Sequence, residues 1–398
     1  MSDWSRAKLE DLAKPGKNAL ATGPFGSSIG SRFFREDGVP VIRGSNLSLS
    51  VGERLVDSEI VFVDKEKAQE FPRSVARRGD LVFTCWGTIG QVGLIDERSR
   101  FDRYIVSNKQ MKMTPDPATV DSLFLYYALS SPECIAQVQG ASIGSSVPGF
   151  NLTQLRQIQV PFPALPEQRA VASVLGALDD KIAVNERIAA TADQLAGALF
   201  QACPSRAPRL ITEVASITMG QSPSGETYNE NGDGLPFYQG NRDFGLRYPG
   251  HRIWCTAVTR HAYENDVLVS VRAPVGAINV AAETCGIGRG VAAVRSVEHP
   301  HVLLHALSSD PSVWRPYEAE GTVFGSINKR QFSQLQVSWP GESVVDVLEE
   351  QLKALDDRLR QVTKENRTLA TLRDTLLPQL MSGRLRVKDA EKIVEDAT

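Results

Sequence analysis

The chain has 398 residues, of which 42% are hydrophobic and 23% charged, and its formal net charge is −3 at pH 7. This length predicts two to three domains rather than a single core. The net charge argues against a protein that binds nucleic acid by charge alone, and no apolar run reaches the ~18 residues of a membrane helix. Because the N-terminus also lacks the pattern of a signal or transit peptide, we expect a cytoplasmic protein without membrane contact.

Residues 1–164 form the first predicted domain. Short β-branched or aromatic runs, such as VPVIRG and LVFTCW, are bounded there by Gly, Pro, Asn or Asp and predict strands. One helix is expected at about 120–129, and a final strand in the run IQVPFP, which ends at Pro163. The domain is therefore predicted to be mostly β.

A long amphipathic helix is predicted at residues 165–203, with Pro166 in the first turn, where proline is favoured. Its apolar seam repeats with alternating spacings of four and three residues, the pattern of a coiled coil. Asn185 lies in this seam and is expected to fix the register, because its amide needs a partner. We interpret the Asp-x-Lys motif at 179–181 as an exposed helix face rather than a nuclease site. The other seam positions are Val171, Leu175, Leu178, Ile182, Ala189, Ala192, Leu195 and Leu199.

The same order repeats in the second half of the chain. Residues 204–341 are predicted to form a second mostly-β domain with one helix at about 300–307, and residues 342–383 a second long helix with Asn366 in its seam. Residues 384–398 form a C-terminal tail, which is expected near the N-terminus. The other positions of the second seam are Leu348, Leu352, Leu355, Leu359, Val362, Leu369, Leu372 or Arg373, Leu376 and Leu380.

Four sequence blocks recur in the same order at a nearly constant offset. Asp80 matches Asp266, and the LDD motif that begins at Leu178 matches the one that begins at Leu355. A repeat of about 180 residues indicates a duplicated domain rather than a solenoid unit.

Two duplicated units in a cyclic, pseudo-twofold arrangement require antiparallel helices, with Asn185 opposite Asn366. The heptad pattern alone also suits a parallel pair or a bundle with a partner. We therefore predict an α+β fold, in which two duplicated mostly-β domains are separated by two long helices that form an antiparallel coiled coil.

Catalytic motifs are missing from the sequence. It contains no P-loop, H-E-x-x-H or G-x-S-x-G motif, and no Asn/Asp-Pro-Pro-aromatic motif of adenine methyltransferases. The five cysteines lie far apart, which excludes a Cys-x-x-Cys zinc site and suits a reducing compartment. His299, His301 and His305 have a spacing that can share a metal, but no further ligand is in view. We expect no catalytic residue and no metal in this chain.

Polar loop residues in both domains have side chains suited to DNA. Arg and Lys can bind guanine, Asn and Gln can bind adenine, and neutral polar groups can bind phosphates. Residues 205–341 contain eleven arginines and one lysine, a bias that suits bidentate contacts and that a GC-rich genome would also produce. For each residue alone, ordinary surface polarity is the alternative. The candidates are Arg43, Ser45, Asn46, Trp86, Arg103, Lys109, Ser145 and Ser146 in the first domain, and Gln239, Asn241, Arg242, Arg272, Arg289, Ser326, Lys329 and Arg330 in the second.

The repeated blocks, the LPEQ run that opens the first helix and the two LDD motifs together resemble the specificity subunit of a type I restriction-modification system. The resemblance covers essentially the whole chain and includes GVPVIRG, RGDLVFTCWGTIGQVG and the terminal LLPQLMSGRL. It implies two target recognition domains, each of which recognises one half of a bipartite double-stranded DNA target, and two spacer helices.

The resemblance also implies partners. Methyltransferase subunits, usually two, dock on the helices, and a motor-nuclease subunit can join them. S-adenosylmethionine then belongs to the methyltransferase, so no cofactor is expected in this chain. Ser343 and Val345 stand where the first helix has Pro166 and Gln168, so the two docking sites are expected to differ.

The sequence thus predicts a non-catalytic DNA-recognition subunit that directs adenine methylation, and cleavage where a nuclease subunit is present. The alternative is a coiled-coil scaffold whose β domains bind protein or glycan. An enzyme that acts alone is a third hypothesis. Retention on DNA at physiological salt distinguishes the first from the second, and methyl transfer by the isolated chain would favour the third.

Replacing Arg43 by alanine is expected to relax recognition of one half of the target only, because each domain contacts one half. Methylome sequencing of the host with and without the variant measures this effect. Unchanged methylation at that half would remove Arg43 from the candidates.

Overall fold

The computed structural model describes residues 4–143, 149–318 and 325–397. Its backbone contacts divide the chain into two units: unit 1 contains Met1–Val184 and Glu365–Thr398, and unit 2 contains Asn185–Lys364. Each of the two long helices contributes one segment to each unit. Among the described residues, no helix is both long and apolar enough to span a membrane.

Unit 1 combines short strands with short helices. Two four-stranded sheets have the orders β2-β9-β6-β7 and β4-β3-β8-β5, and β1 pairs with β10. Its described strands are β1 (Ser5–Lys8), β2 (Leu20–Thr22), β3 (Val39–Ile42), β4 (Val61–Val63), β5 (Val75–Arg77), β6 (Leu81–Thr84), β7 (Val92–Leu94), β8 (Arg103–Val106), β9 (Gln110–Met113) and β10 (Gln159–Phe162). Its described helices are α1 (Leu9–Leu12), α2 (Lys65–Gln69), α3 (Ser122–Leu129), α4 (Pro132–Ala141), α5 (Leu152–Gln157) and the first part of α6 (Leu165–Ala202).

Unit 2 repeats this plan with one five-stranded sheet. The sheet orders are β12-β20-β17-β18 and β13-β15-β14-β19-β16, and β11 pairs with β21. Its described strands are β11 (Ala207–Leu210), β12 (Ser216–Met219), β13 (Tyr228–Asn229), β14 (Leu235–Tyr238), β15 (Trp254–Cys255), β16 (His261–Ala262), β17 (Val267–Ser270), β18 (Ile278–Val280), β19 (Cys285–Ile287), β20 (Val291–Arg295) and β21 (Gln336–Trp339). The remaining helices are α7 (Ile211–Val214), α8 (Pro300–Ser308), α9 (Lys329–Ser333), α10 (Glu342–Met381), which continues into unit 1, and α11 (Val387–Ala397), which belongs to unit 1.

The predicted duplication is confirmed by the strand topology. The order β2-β9-β6-β7 recurs as β12-β20-β17-β18, and the parallel pair of β3 and β8 recurs as β14 and β19. The matched aspartates occupy the same turn in both units. Asp80 accepts a hydrogen bond from the backbone N–H of Arg77 (3.0 Å), and Asp266 accepts one from that of Tyr263 (2.7 Å).

The central strands are buried on both faces, which explains why they have continuous apolar runs instead of an alternating pattern. In β6, Leu81 and Phe83 contribute to the large core of unit 1, whereas Val82 points into a smaller core on the other face. In β17 of unit 2, Val267 and Leu268 divide between two cores in the same way.

The prediction of one helix per β domain is wrong, because the described residues include α4 and α5 in unit 1 and α9 in unit 2. Ser131 caps α4 by accepting a hydrogen bond from the N–H of Cys134, and Pro132 follows in the first turn. Asn151 caps α5, and Asn328 caps α9, each in a reciprocal capping box. These helices are too short to produce a clear period in the sequence, although their capping residues are visible there.

Within unit 1, the long helices run antiparallel. Asn366 Nδ2 donates a hydrogen bond to the backbone oxygen of Ile182 (3.2 Å), and Arg373 contacts Asp179 at 2.9 Å. Residue numbers therefore fall along α6 as they rise along α10, so the predicted antiparallel direction is confirmed there. The pairing of Asn185 with Asn366 and the pseudo-twofold arrangement concern both units and stay predictions.

The tail helix α11 packs in unit 1. Ala390 is fully buried in the core that also contains Leu9 and Leu12, from the beginning of the chain. The tail and the N-terminal segment therefore contribute to one core.

The predicted seam of α6 is wrong at Leu195, whose side chain is 48% exposed, while Ala196 and Phe200 are fully buried. The buried positions after Ala192 follow a spacing of four, as the apolar stripe of a helix drifts relative to a strict heptad. This segment shares its core with Phe332 and Trp339 of the β domain. The positions that are buried in this segment are therefore set by the β domain as well as by a partner helix.

The interpretation of 179–181 as an exposed helix face is wrong for Asp179, which is 1% exposed; Asp180 and Lys181 are exposed. The Asp179 carboxylate accepts hydrogen bonds from the Tyr127 hydroxyl, from Arg54 (3.4 Å) and from Arg373 (2.9 Å). Asp179 therefore binds the first long helix to the β domain and to the second helix.

Asp356 of the second LDD motif is buried in the same manner. His301 Nδ1 lies 2.9 Å and Arg247 Nη2 3.4 Å from its carboxylate, and His305 Nε2 lies at 3.7 Å. Burial alone would raise the pKa of Asp356, but the hydrogen bond with His301, the nearby His305 side chain and the charge of Arg247 hold it well below its usual range.

The histidine motif is thus explained by carboxylates of α10. His301 and His305 contact Asp356, and His299 contacts Asp346 at 2.8 Å. In the part of the chain that the structure describes, no group of three or more His, Cys, Asp or Glu side chains could hold a metal ion.

Replacing Asp179 by alanine is expected to lower the free energy of unfolding of unit 1 by about 3–5 kcal/mol, because it leaves the buried guanidinium groups of Arg54 and Arg373 without their partner. Calorimetry and urea unfolding measure this change. The matched control is Asp180→Ala, which removes an exposed carboxylate one residue away and should cost less than about 0.5 kcal/mol. Equal effects of the two substitutions would contradict the assigned role of Asp179.

Candidate nucleic-acid interface

In unit 1, the parallel pairing of β3 and β8 brings the loops that follow both strands together. The N–H of Ser107 donates to the carbonyl of Ile42 at 2.9 Å, so residues 43–46 lie beside residues 107–109. The loop after β6 joins them, because the N–H of Cys85 donates to the carbonyl of Lys109 at 2.8 Å. Several loops therefore meet at the carboxyl ends of these strands.

A groove of about 770 Å³ lies among these loops. Its lining includes three large apolar side chains that are mostly exposed: Phe25 (80%), Trp86 (53%) and Ile143 (66%). Asn108 and Lys109 add polar groups. Exposed apolar side chains in a concave surface indicate a ligand with apolar surface, and in DNA the thymine methyl group and the faces of bases offer it.

Gly149 allows the indole of Trp86 to lie close against the backbone. A Cβ atom at residue 149 would come within 2.8 Å of the ring, and the two residues form a β-bridge. The exposed indole is therefore held in position by the fold.

The structure brings only some of the predicted residues of unit 1 to this groove. Trp86 and Lys109 line it, and the exposed Ser45 lies on the adjacent loop. Arg43 is half-buried, with its guanidinium 5.6 Å from the ring of Phe34. Arg103 begins β8 and so lies at the opposite end of that strand. Ser145 and Ser146 lie outside the described residues.

The prediction that Asn46 contacts DNA is contradicted by its burial. Asn46 is 1% exposed, and both ends of its amide are used within the protein. Its oxygen accepts from the N–H of Arg43 (2.9 Å), and its nitrogen donates to the carbonyl of Val56 (2.8 Å). Asn46 therefore shapes the loop that carries Arg43 and Ser45, as an asparagine in a turn commonly does.

In unit 2, the pairing of β14 with β19 assembles an equivalent group of loops. The N–H of Gly288 donates to the carbonyl of Tyr238 (2.9 Å), which places Gln239 beside the loop of Arg289. The N–H of Val271 donates to the carbonyl of Gly290 (2.9 Å), and Arg272 forms a β-bridge with Ser326. Four predicted residues, Gln239, Arg272, Arg289 and Ser326, thus lie on adjoining loops.

The other four candidates of unit 2 lie in two short turns. Asn241 and Arg242 begin the turn that follows Gln239, where Arg242 is exposed and Asn241 half-buried. Lys329 and Arg330 are exposed in the first turn of α9, three residues after Ser326.

Ion pairing divides the arginines of unit 2 into two groups. Arg252 and Arg295 each contact an aspartate at 2.6 Å, and Arg247 is buried against Asp356. In contrast, no carboxylate of the described residues lies within 4.0 Å of the exposed Arg272 or Arg289. These two guanidinium groups are available for phosphate or for guanine O6 and N7.

Sequence reasoning missed Phe25 and Asn108 in the groove of unit 1. Phe25 stands between Pro24 and Gly26, and an aromatic residue in such a turn could have indicated exposure. Asn108 Nδ2 donates to the carbonyl of Gly26 at 3.0 Å, a contact between loops that are far apart in the sequence.

Comparison with known proteins gives a family and a fold. Residues 1–194 match the family described as type I restriction modification DNA specificity domain. Over 97% of this chain and 94% of the relative, it is 24% identical to a protein of Methanocaldococcus jannaschii named as the type I restriction enzyme MjaX specificity subunit. It is 19% identical to the HindI specificity subunit of Haemophilus influenzae, over 97% of this chain and the full length of that protein.

A solved structure shows the same fold. The crystal structure of the type I restriction-modification system S subunit from M. genitalium superposes with a TM-score of 0.62 at 16% identity, over 95% of this chain and 96% of that chain. Similarity along nearly the whole length of these proteins extends the match beyond the first unit. Residues 1–194 therefore belong to the family of type I restriction modification DNA specificity domains, and the chain is similar to type I specificity subunits along nearly its whole length.

Proposed function

We propose that each unit of this chain recognises one half of a bipartite double-stranded DNA target, and that partner subunits methylate adenine at the recognised site. As a specificity subunit, the chain recognises DNA and is not itself an enzyme. The observation that carries the proposal is the pair of equivalent loop groups, which share a framework and differ in their side chains.

The framework is the same because the fold requires it. In both units a parallel strand pair positions the loops, and Asp80 or Asp266 orders the turn before the adjoining central strand. The side chains that the loops present are different. Unit 1 offers the apolar groove with Trp86 and Lys109, and unit 2 offers Gln239 with unpaired arginines. Two units of one fold with different surfaces are suited to two different DNA half-sites.

The proposed partners follow from the same family. Methyltransferase subunits, usually two, would dock on the exposed faces of α6 and α10 and would bind S-adenosylmethionine, and a motor-nuclease subunit would join where cleavage occurs. This chain needs no cofactor for recognition. We propose that the protein acts in the cytoplasm, where a DNA-recognition subunit meets its target. The spacer role of the helices stays a prediction.

Of the two substitutions that distinguish the predicted docking sites, one lies inside the protein. Gln168 is fully buried, where its oxygen accepts from the N–H of Asp121 (3.0 Å) and its nitrogen donates to the carbonyl of Pro163 (2.9 Å). Val345, its counterpart, is also buried. This change therefore alters contacts inside each unit, whereas the change from Pro166 to Ser343 lies at the surface.

The proposal is tested with the full chain and the subunits it retains on purification from its own host. DNA retention at physiological salt and methylation at one bipartite motif are expected. Methylation without sequence preference would contradict the proposal. Failure to retain DNA, with and without partners, would favour the scaffold alternative.

Trp86→Ala is expected to weaken discrimination in the half-site bound by unit 1 by about 1–3 kcal/mol for the affected base pair, and to leave the other half unchanged. Methylome sequencing reports both halves at once. The control is Val297→Ala, which shortens an 87% exposed apolar side chain outside the loop groups. Relaxation of both halves by Trp86→Ala would contradict its assignment to one half-site.

Arg289→Ala is expected to weaken discrimination at a G·C pair in the other half-site, by a similar amount, because the unpaired guanidinium is suited to guanine O6 and N7. The matched control is Arg252→Ala, since Arg252 is an exposed arginine of the same unit that already contacts Asp243. The proposal for Arg289 fails if the two variants methylate the same motif as the unaltered chain with unchanged preference.

A further inference from the structure

A second charged surface lies in unit 1, outside the residues considered above. Lys14, Lys17, Arg73, Arg77 and Arg156 are all exposed and line two adjoining cavities of about 600 and 670 Å³. Both cavities contain the loop with Lys14 and Lys17, so the five cations form one continuous region, here called the basic surface.

The basic surface has no internal neutralising partner. Within the described residues, no carboxylate oxygen lies within 4.0 Å of any of its five cations. Two carboxylates line the cavities, and both are engaged elsewhere. Glu10 accepts from Gln157 (2.9 Å) and lies 3.8 Å from Lys8, and Asp80 is 3% exposed beside Lys112. The surface is therefore strongly positive although the chain has a net charge of −3.

The basic surface adjoins the groove of Trp86. The cavity that contains Arg156 shares Thr22 and Leu152 with that groove. A duplex that presents base edges to the groove carries phosphates on both sides of those edges. Cations beside a base-recognising groove are thus positioned for the backbone of the same duplex.

Where a position of the basic surface can be matched to a position in unit 2, the residue in unit 2 is not a cation. Seven residues lie between the end of α1 and Leu20 of β2, but only two lie between the end of α7 and Ile217 of β12, so the loop with Lys14 and Lys17 is an insertion of unit 1. Arg77 corresponds to Tyr263, because their N–H groups bond the matched aspartates.

Arg156 likewise corresponds to Ser333. Both residues lie five positions after the asparagine that caps their helix, Asn151 or Asn328. The basic surface is therefore not a by-product of the shared fold but a feature added to one unit.

We propose that the basic surface binds the sugar-phosphate backbone of the DNA duplex next to the half-site of unit 1, independently of sequence. This inference rests on the proposed DNA recognition and adds a second kind of contact to it. Each cation that meets a phosphate releases counterions, so its contribution appears in the salt dependence of binding. The aromatic groove alongside favours DNA over an acidic protein as the ligand.

The test compares salt slopes of the full chain, purified with the subunits it retains, on duplexes with and without its methylated motif. The triple variant Lys14→Gln, Lys17→Gln and Arg156→Gln should reduce the slope of log K against log salt by roughly 2–3 on both duplexes, at about 0.9 per lost contact. The methylated motif should stay the same. The variants Lys17→Gln and Arg156→Gln, which lie on different elements, should each reduce the slope by about 0.9.

The matched control replaces Lys388 and Lys392, two exposed lysines of α11, by glutamine and should leave the slope unchanged. An unchanged slope in the triple variant, with normal thermal unfolding, overturns the inference while DNA recognition itself stands. A changed motif would instead assign these residues to base recognition. Loss of a partner subunit with an unchanged slope would assign the surface to an acidic protein. Loss of motif-specific binding by the unaltered chain would overturn the proposed function as well.

Discussion

The structure depends on one buried carboxylate in each LDD motif. Asp179 binds Arg54 of the β domain together with Arg373 of α10, and Asp356 binds Arg247 together with two histidines. Arg54 and Arg247 occupy matched places, because their carbonyls accept from Leu94 and Val280 of matched strands. A buried ion pair contributes little net stability, since desolvation offsets most of the attraction, but it penalises any arrangement that separates its members. The two aspartates therefore fix where each long helix meets its β domain.

Around this shared contact, the two units satisfy the same physical requirement with different residues. At the start of α3, the backbone N–H of Asp121 donates a hydrogen bond to Gln168, which lies in the first turn of α6. At the start of α8, the carboxylate of Glu349 accepts hydrogen bonds from the N–H groups of His301 and Val302. Glu349 lies one helical turn after Val345, the position that matches Gln168. Unpaired N–H groups at a helix start are costly. Both units therefore keep a side-chain acceptor for these groups, but it stands at different positions of the two long helices. The difference between Gln168 and Val345 is thus a change inside the protein and no evidence of a difference at the surface.

Much of the fold can be predicted from local sequence patterns. The features that the sequence did not predict depend on contacts between residues that lie far apart in the chain. The repeated blocks predicted the duplicated topology, because each block contains its own strand and turn signals. Asp179 could not be recognised as buried, since its partner Arg54 lies 125 residues away in the sequence. Leu195 was misplaced because a heptad assumes a partner helix, whereas this segment also packs on a β domain. At the candidate interface, residue type alone indicates that arginines suit DNA. Only the structure shows that Arg252 contacts an aspartate, whereas Arg289 has no carboxylate of the described residues beside it.

The distribution of ion pairs explains how a chain with a net charge of −3 can recognise DNA. Many of its cations are neutralised by aspartates inside the protein, whereas exposed cations without a carboxylate neighbour among the described residues lie on the loops of unit 2 and on the basic surface. The local field at these surfaces, not the net charge, attracts phosphates. A weak overall charge also limits binding to bulk DNA, whose competing sites far outnumber any target. Because non-specific affinity is then low, a given set of base contacts produces a larger ratio of specific to non-specific binding, which is the quantity that a specificity subunit must supply.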